Sequence, residues 1–344
     1  MHMVVFRVDA NSMIGKGHMK RCVAIAKAIR LLGGSVLFVT REDSDTSLIE
    51  SNFMEYETVP SMTLGSEKAI NCLKYIISEK NAKVCVVDSY DVSNTAFNSL
   101  KEVCKVILIE DYLYEVYDVD CVINYNLYAD KIDYMSKYKS NTKLLLGIEY
   151  APYGNEFLGS FRVIDRHDID SIMVYTGELD PHELAPGIVD SLLDCIDDSV
   201  RLRVVTSKNA TTRDILFKMS NTSSQIIVEP DLASYSKLLK SCDVAVTIAD
   251  SVCYDILSIN VPAVVFQSDY SQNMLLKSLT NSGLMAYGGD YVNKSNKFYG
   301  DLVNGVKKLT SEEERMKIRA NIAGLKLGQG ANNLAKAILE YEKN

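Results

Sequence analysis

The sequence predicts an α/β protein of two domains, each built on a parallel sheet that helices cover on both faces. A chain of 344 residues exceeds what one hydrophobic core usually fills. Short, continuously apolar segments rich in β-branched residues also alternate with amphipathic ones, a pattern typical of parallel strands separated by helices. The predicted strands are 3–9, 35–40, 83–89 and 104–111 in the first half of the chain, and 171–177, 201–207, 225–229, 242–248 and 262–267 in the second.

A polar segment between the two series of strands sets the predicted domain boundary. We expect an N-terminal domain of residues 1–157 and a C-terminal domain of residues 158–344. The last segment, 331–344, has helical spacing and either completes the second domain or crosses back to the first. The expected boundaries assign it to the second domain.

The composition excludes several classes of protein. A formal net charge of −8 argues against general nucleic-acid binding, which relies on basic faces. No apolar run reaches the length of a membrane helix, and a strand pattern stands where a signal peptide would begin, so we expect a soluble cytoplasmic protein. The eight cysteines are scattered without a CxxC pair, and neither a metal ion nor a cofactor is expected.

The loop between the first strand and the first helix carries the first candidate site. Its sequence is DANSMIGKGH over residues 9–18. Gly15 and Gly17 let the backbone approach a ligand, and the start of a helix presents unpaired N–H groups to negative charge. His18 follows at the mouth of the helix, where a neutral imidazole can take a proton from water. A histidine that only caps the helix is the alternative, but the glycines and the strand-end position favour catalysis.

Polar residues also follow other strands of the first domain, at the sheet edge where ligands bind in such folds. Asp88 and Asp111 could serve function or could simply cap the next helices. Tyr90 is more suggestive, because an aromatic ring with a polar tip is a common sugar contact. Asn126 could add a polar contact, although a plain turn explains the segment 124–126 equally well.

In the second domain, two strand ends suggest a nucleotide site. Gly177 ends the first strand, and Ser251 begins a helix whose N–H groups could hold a diphosphate. Asp255, one turn later, could accept hydrogen bonds from ribose hydroxyls. A simple helix cap and a favourable charge in the first turn explain Ser251 and Asp255 equally well.

These residues resemble the UDP-sugar hydrolases of pseudaminic-acid biosynthesis. The resemblance spans the first domain and lies in Asp9-Ala10, Gly15 to His18, Arg21-Cys22, Asp88 to Tyr90, Glu110-Asp111, Asn124 to Asn126, Leu146-Gly147, Tyr150 to Pro152 and Glu156-Phe157. It implies the GT-B fold, in which two Rossmann-like domains with parallel sheets face each other across a cleft. It also implies removal of UDP from a 2,4-diacetamido-2,4,6-trideoxy hexose, with His18 as the catalytic residue and Tyr90 in the same site.

The second domain departs from the family pattern in several places. Asp250 stands where relatives have glycine and adds a negative charge near the expected diphosphate, and Tyr254 replaces an asparagine or a bulky residue. Gln272 is retained. The residues expected to bind the nucleotide are Gly177, Ser251, Tyr254, Asp255 and Gln272.

The expected reaction is hydrolysis at the anomeric carbon with inversion, in which His18 activates water and UDP leaves. Tyr90 and Asn11 would orient the sugar. The residues expected to bind the substrate are Asp9, Asn11, Gly15, Gly17 and Asn126. A GT-B glycosyltransferase with a sugar or lipid acceptor and a non-catalytic sugar-nucleotide binding protein are the alternatives.

Overall fold

The structure is a computed structural model that describes residues 3–11, 15–62, 64, 66–154, 167–229 and 235–342. The chain forms two compact units, Met1–Asn155 together with Gly328–Asn344, and Glu156–Leu327. The predicted boundary at residue 158 lies outside the described residues. The C-terminal limit of the second domain is corrected, because the last helical segment belongs to the first unit.

A parallel sheet forms the centre of the first unit. Within the described residues it has seven strands, in the order β3-β2-β1-β4-β5-β6-β7. The strands are β1 Met3–Val8, β2 Ser35–Arg41, β3 Glu55–Val59, β4 Val84–Asp88, β5 Lys105–Ile109, β6 Cys121–Asn124 and β7 Lys143–Leu146. The inner strands are almost wholly buried, as their continuous apolar sequences predict. β3 was not predicted, because this edge strand is partly solvated and has the polar sequence EYETV.

The second unit also has a parallel sheet, with six described strands in the order β10-β9-β8-β11-β12-β13. The strands are β8 Ser171–Tyr175, β9 Arg201–Val205, β10 Ile226–Glu229, β11 Val244–Ile248, β12 Ala263–Gln267 and β13 Ala286–Asp290. β13 was not predicted, since its sequence AYGGD lacks an apolar run. Gly288 is required there, because a Cβ would lie 2.5 Å from Val264 of the neighbouring strand.

Helices follow the strands in both units. In the first unit they are α1 Gly17–Leu31, α2 Ser47–Ser51, α3 Glu67–Glu79, α4 Asn94–Lys101 and α5 Tyr134–Lys137. In the second they are α6 Leu184–Leu193, α7 Arg213–Thr222, α8 Tyr235–Ser241, α9 Val252–Ser258, α10 Asn273–Asn281, α11 Tyr291–Lys294, α12 Phe298–Thr310 and α13 Glu312–Ala323. The final helix, α14 Gly330–Glu340, packs on α1. Of the helices described, none is both long and apolar enough to cross a bilayer.

The first residue of α14 gives a stability prediction. A Cβ at Gly330 would overlap the backbone of Ala151, so Gly330→Ala is expected to lower the free energy of unfolding by about 1–3 kcal/mol. Gly300 in α12 is the control, because a Cβ there meets nothing within 4 Å. Gly300→Ala is expected to raise stability by about 0.5–1 kcal/mol through helix propensity. Urea unfolding measures both, and equal stability of the two variants would contradict this account of α14.

Candidate active site

Adjacent strands bring the polar residues of the first unit to one edge of its sheet. β4 lies between β1 and β5, and β6 lies beside β5. All these strands are parallel, so their carboxyl ends share an edge. β4 ends at Asp88, Asp111 follows β5, and Asn126 follows β6, while His18 is the second residue of α1.

His18 forms a short hydrogen bond with Asp88. The distance from His18 Nδ1 to Asp88 Oδ1 is 2.6 Å, and Arg21 Nη2 lies 3.1 Å from the same ring nitrogen. A separation of 2.6 Å from a carboxylate requires a proton on Nδ1, whereas Arg21 Nη2 has a better acceptor in Asp88 Oδ1, also at 2.6 Å. Nδ1 therefore donates to Asp88, which selects the tautomer whose lone pair lies on Nε2.

Arg21 joins the buried carboxylate of Asp88 and the half-buried carboxylate of Asp111. Its Nε donates to Asp88 Oδ2 at 2.6 Å, and its Nη1 donates to the two oxygens of Asp111 at 2.8 and 3.0 Å and to the Tyr125 hydroxyl at 2.7 Å. Burial raises the pKa of Asp88, but Arg21 and His18 outweigh this and hold it well below the usual range. Burial likewise raises the pKa of Asp111, and Arg21 lowers it below the ordinary value. Both groups are therefore carboxylates at neutral pH.

Tyr90 closes the exposed side of this cluster. Its hydroxyl donates to Asp111 Oδ2 at 2.6 Å, and its ring meets the His18 ring edge-on at a centroid distance of 4.9 Å. Burial and the charge of Asp111 raise the pKa of Tyr90, so the phenol stays neutral. Asn126 Nδ2 donates to Asp111 Oδ1 at 2.9 Å. The structure thus brings together the predicted site residues His18, Tyr90 and Asn126. It adds Asp88 and Asp111, for which the sequence left function and helix capping open.

The link between them, Arg21, was not predicted as a site residue. It lies one turn after His18 on α1 and is 4% exposed, although its sequence position resembles any charged position on a helix. The spacing of three residues from His18 was the available signal, because such residues share a helix face. The alternative view of Asp88 as a helix cap is not supported, since Ser93 caps α4 by accepting from the backbone N–H of Ala96.

Asp9 has contacts within the sheet in place of the predicted substrate contact. It is 5% exposed, accepts from the backbone N–H of Arg41 at 2.8 Å and pairs with Arg7 Nη1 at 2.7 Å. The contact with Arg41 joins the end of β1 to β2. Arg7 was a signal for this role, because a buried arginine in an apolar strand needs a carboxylate partner.

The glycines of the loop have different roles. Gly15 has a φ of +74°, which favours glycine, and its N–H donates to the carbonyl of Asn11 at 2.8 Å. Residues 12–14 lie outside the described residues. Gly17 begins α1 in an ordinary conformation, and a Cβ there would meet nothing within 4 Å. Folding therefore does not require glycine at position 17.

In the second unit, the start of α9 differs from the prediction. Ser251 stands at the N-cap position but makes no capping hydrogen bond. Asp250 caps instead, because its Oδ1 accepts from the backbone N–H of Val252 at 2.8 Å. The Asp250 carboxylate thus accepts from one of the backbone N–H groups that were expected to face a diphosphate. Gly177 follows β8 with a φ of +100°, and Asp255 lies half-buried in the first turn of α9.

Two further predicted nucleotide residues have structural roles in the second unit. The side chain of Tyr254 is 1% exposed, so in this structure it is not available to a ligand. Gln272 Oε1 accepts from the backbone N–H groups of Ser268 at 2.8 Å and Asp269 at 3.2 Å, forming a capping box with Asp269. Among the residues the structure describes, no group of three or more His, Cys, Asp or Glu could hold a metal ion.

Two units, each with a parallel β-sheet and helices between its strands, are the architecture of the GT-B fold. Comparison with known proteins agrees. MurG from Acinetobacter baumannii matches with a TM-score of 0.72 at 11% identity, covering 99% of this chain and all of MurG. MnaA from Staphylococcus aureus, in complex with UDP, matches with a TM-score of 0.69 at 14% identity, covering 100% of this chain and 97% of MnaA. The predicted fold is confirmed.

A sequence relative narrows the comparison. The UDP-2,4-diacetamido-2,4,6-trideoxy-β-L-altropyranose hydrolase of Campylobacter jejuni is 26% identical over 160 residues, which are 45% of this chain and 53% of that enzyme. The chain therefore spans about half the length of the curated relative it matches. No family model matches the chain. The resemblance to the UDP-sugar hydrolases stated from the sequence motifs is confirmed at this level of identity.

Proposed function

We propose that this protein is an enzyme that hydrolyses UDP-linked 2,4-diacetamido-trideoxy sugar in the cytoplasm, in the synthesis of a nonulosonic acid or a related surface glycan. The observation that carries the proposal is the His18–Asp88 pair, in which the carboxylate holds the Nδ1 proton and leaves Nε2 as a base. The named activity of the Campylobacter jejuni relative supports the substrate class.

The proposed reaction needs one base and a good leaving group. His18 Nε2 takes a proton from water while the water oxygen attacks the anomeric carbon with inversion. The bond from that carbon to the diphosphate oxygen breaks, and its electron pair leaves with UDP. Asp88 stabilises the positive charge that develops on the imidazole, as the carboxylate does in a catalytic triad. UDP carries its own negative charge well, so no protein acid is needed at the leaving oxygen.

Tyr90 and the loop before α1 are proposed to hold the sugar. The Tyr90 hydroxyl is anchored on Asp111, and the residue remains 57% exposed beside His18. An anchored ring of this kind offers an apolar face to a pyranose at little cost in side-chain entropy. The space around Gly17 allows close approach of the backbone to the ligand. Asn11 and Asn126 remain proposed substrate contacts.

The nucleotide is proposed to bind the second unit at Gly177, Ser251 and Asp255. Support comes from the fold shared with the UDP complex of MnaA. The proposed set no longer includes the buried Tyr254, and Gln272 contributes through the backbone that it fixes.

The charge of Asp250 yields a binding prediction. Asp250→Asn keeps an oxygen that can cap α9 but removes a negative charge near the proposed diphosphate. We expect UDP to bind about three- to tenfold more tightly, an effect that weakens with added salt. Isothermal titration calorimetry measures it, with the exposed Asp198→Asn as a matched control. Unchanged affinity in Asp250→Asn would place the diphosphate elsewhere.

Incubation without an acceptor tests the proposed function. NMR of the purified protein with the UDP-linked 2,4-diacetamido sugar should show free sugar and UDP appearing together, with the first-formed anomer inverted. A glycosyltransferase would release sugar only with an acceptor, and a binding protein would release none. Binding of UDP without any release of free sugar would refute the hydrolase proposal for this substrate.

A further inference from the structure

Glu110 is a buried carboxyl group beside the site that the proposed mechanism does not use. It directly follows β5, is 6% exposed, and its Oε1 has no hydrogen-bond partner among the described residues. A buried carboxylate with an unpaired oxygen is costly, so the neutral acid is favoured. Burial, opposed by the hydrogen bond with Tyr134 and reinforced by the charge of Asp111, raises the pKa of Glu110 to about 8.

A continuous series of hydrogen bonds joins Glu110 to the side chain of Asp111. The Tyr134 hydroxyl accepts from Asn124 Nδ2 at 2.8 Å, so its own proton is available to Glu110. Asn124 Oδ1 accepts from Asn126 Nδ2 at 2.9 Å. Asn126 Nδ2 also donates to Asp111 Oδ1 at 2.9 Å. The three steps from Tyr134 to Asp111 lie within normal hydrogen-bond distance, and Asn124 and Tyr134 are fully buried.

The two amides can take only one orientation. Asn124 uses its second N–H on the backbone carbonyl of Asp111 at 3.1 Å, and its Oδ1 also accepts the backbone N–H of Asn126 at 3.0 Å. A flip of the Asn124 amide would set two carbonyl oxygens against each other and two NH₂ groups against each other. The series is therefore fixed in direction, and at its end Asp111 accepts from both Tyr90 and Arg21.

We propose that neutral Glu110 is a positioning residue for the hydrolysis, which holds Asp111, and through it Tyr90, by way of Tyr134 and the two asparagines. The inference rests on the proposed function. Ionisation of Glu110 would place a second buried negative charge next to Asp111 and draw the Tyr134 hydroxyl towards it. This shift of the Tyr134 hydroxyl would move the amides of Asn124 and Asn126. Through Asp111 it would then move Tyr90, which is in contact with the catalytic histidine.

The described groups that face Glu110 keep their charge state near pH 8, so Glu110 is the group that titrates there. They are Tyr134 and Tyr138 from α5 and the residue after it, Tyr117 from the loop after β5, and the neighbouring Asp111. Burial raises the pKa of all three tyrosines, which therefore stay neutral as Glu110 ionises. None of the described groups that shift the pKa of Glu110 is a cation.

Kinetics from pH 6 to pH 10 provide the first test. We expect the wild-type kcat to fall about tenfold as the pH rises through about 8, with KM changing less. Glu110→Gln keeps an acceptor for Tyr134 and cannot ionise, so its kcat at pH 7 should stay within about twofold of wild type and lose the alkaline fall. Glu110→Ala and Tyr134→Phe break the series and should each lower kcat about tenfold. The exposed Glu42→Gln is the control and should keep the wild-type profile.

A substrate-free measurement separates this inference from the proposed reaction. The chain has four histidines, so the His18 resonance of protein labelled at the histidine ring carbon is assigned with a His18→Gln variant. The ring current of Tyr90 acts on His18 at 4.9 Å and reports movement of Tyr90. We expect an inflection of this resonance near pH 8 in wild type that is absent in Glu110→Gln.

Two results overturn the inference: an alkaline fall that persists in Glu110→Gln, or a His18 resonance whose titration is the same in both proteins. If the wild-type protein hydrolyses no substrate, the His18 resonance alone tests the positioning role of Glu110. An inflection that depends on Glu110 would then support the positioning role while the proposed reaction fails.

Discussion

Replacing His18 with glutamine is expected to lower kcat for UDP-sugar hydrolysis by about 10²–10⁴-fold, the range typical of a lost general base. Glutamine can keep a polar contact with Asp88 but cannot take a proton from water. Asp88 remains paired with Arg21 in the variant, so the free energy of unfolding should change little. The affinity for UDP should also be unchanged, because the nucleotide is proposed to bind the second unit.

His182→Gln provides the matched control. His182 is an exposed histidine of the second unit whose ring packs on Tyr291, outside the residues assigned to the reaction. Initial rates of sugar release, measured by NMR at saturating substrate, should be at wild-type level in this variant. A His18→Gln protein with more than half of the wild-type kcat would remove His18 from the role of base.

The fold was predictable because its information is local. Buried parallel strands have continuous apolar sequences, and most described inner strands coincide with such runs, for example Val84–Asp88 and Val244–Ile248. Two exceptions, Glu55–Val59 and Ala286–Asp290, lie at sheet edges, where solvent tolerates polar residues and close packing selects glycine. Cys121–Asn124 and Lys143–Leu146 are also absent from the predicted strands, because a run of four residues gives little periodic signal.

The site was predictable only where its residues follow strands. His18 is the second residue of α1, after the loop that follows β1, and Tyr90 follows β4. These positions, together with the glycines beside His18 and the aromatic ring of Tyr90, indicated function. The same rule also selected Asp9, whose partner Arg7 lies inside the strand and shows that a strand-end carboxylate can serve the sheet. Arg21 stood outside the rule, because the burial of a helical arginine depends on carboxylates 67 and 90 residues away in the sequence.

The placement of α14 shows a similar limit. The apolar face of α14 predicts that this helix is packed against another element. The spacing of its apolar residues is the same whether that element belongs to the first or the second unit. Contact with Ala151 at Gly330 decides the outcome, and this contact joins segments far apart in the sequence. A steric fit of that kind has no local sequence signal.

Replacing Arg21 with methionine is expected to lower the free energy of unfolding by about 3–5 kcal/mol and to abolish measurable hydrolysis. The variant leaves Asp88, which is 2% exposed, and the half-buried Asp111 without their shared cation. Arg21→Lys should rescue only part of the loss, since one ammonium cannot donate to both carboxylates in the geometry of a guanidinium. Urea unfolding at pH 7 measures the change. Arg30→Met, on the exposed face of the same helix, is the matched control and should cost less than about 1 kcal/mol.

The pH dependence of the unfolding free energy lost in Arg21→Met identifies the cause of that loss. Arg21 lowers the pKa of Asp88 and Asp111 in the folded protein, so their contribution to stability is present at neutral pH and is lost as the pH falls below the pKa of an unfolded carboxyl group. Without Arg21, burial raises both pKa values, and the folded variant gains stability by binding protons as the pH falls from 8 to 5. The gap in unfolding free energy between wild type and Arg21→Met should therefore narrow over that range. A gap that is constant with pH would mean that lost packing, and not uncompensated charge, makes Arg21 necessary.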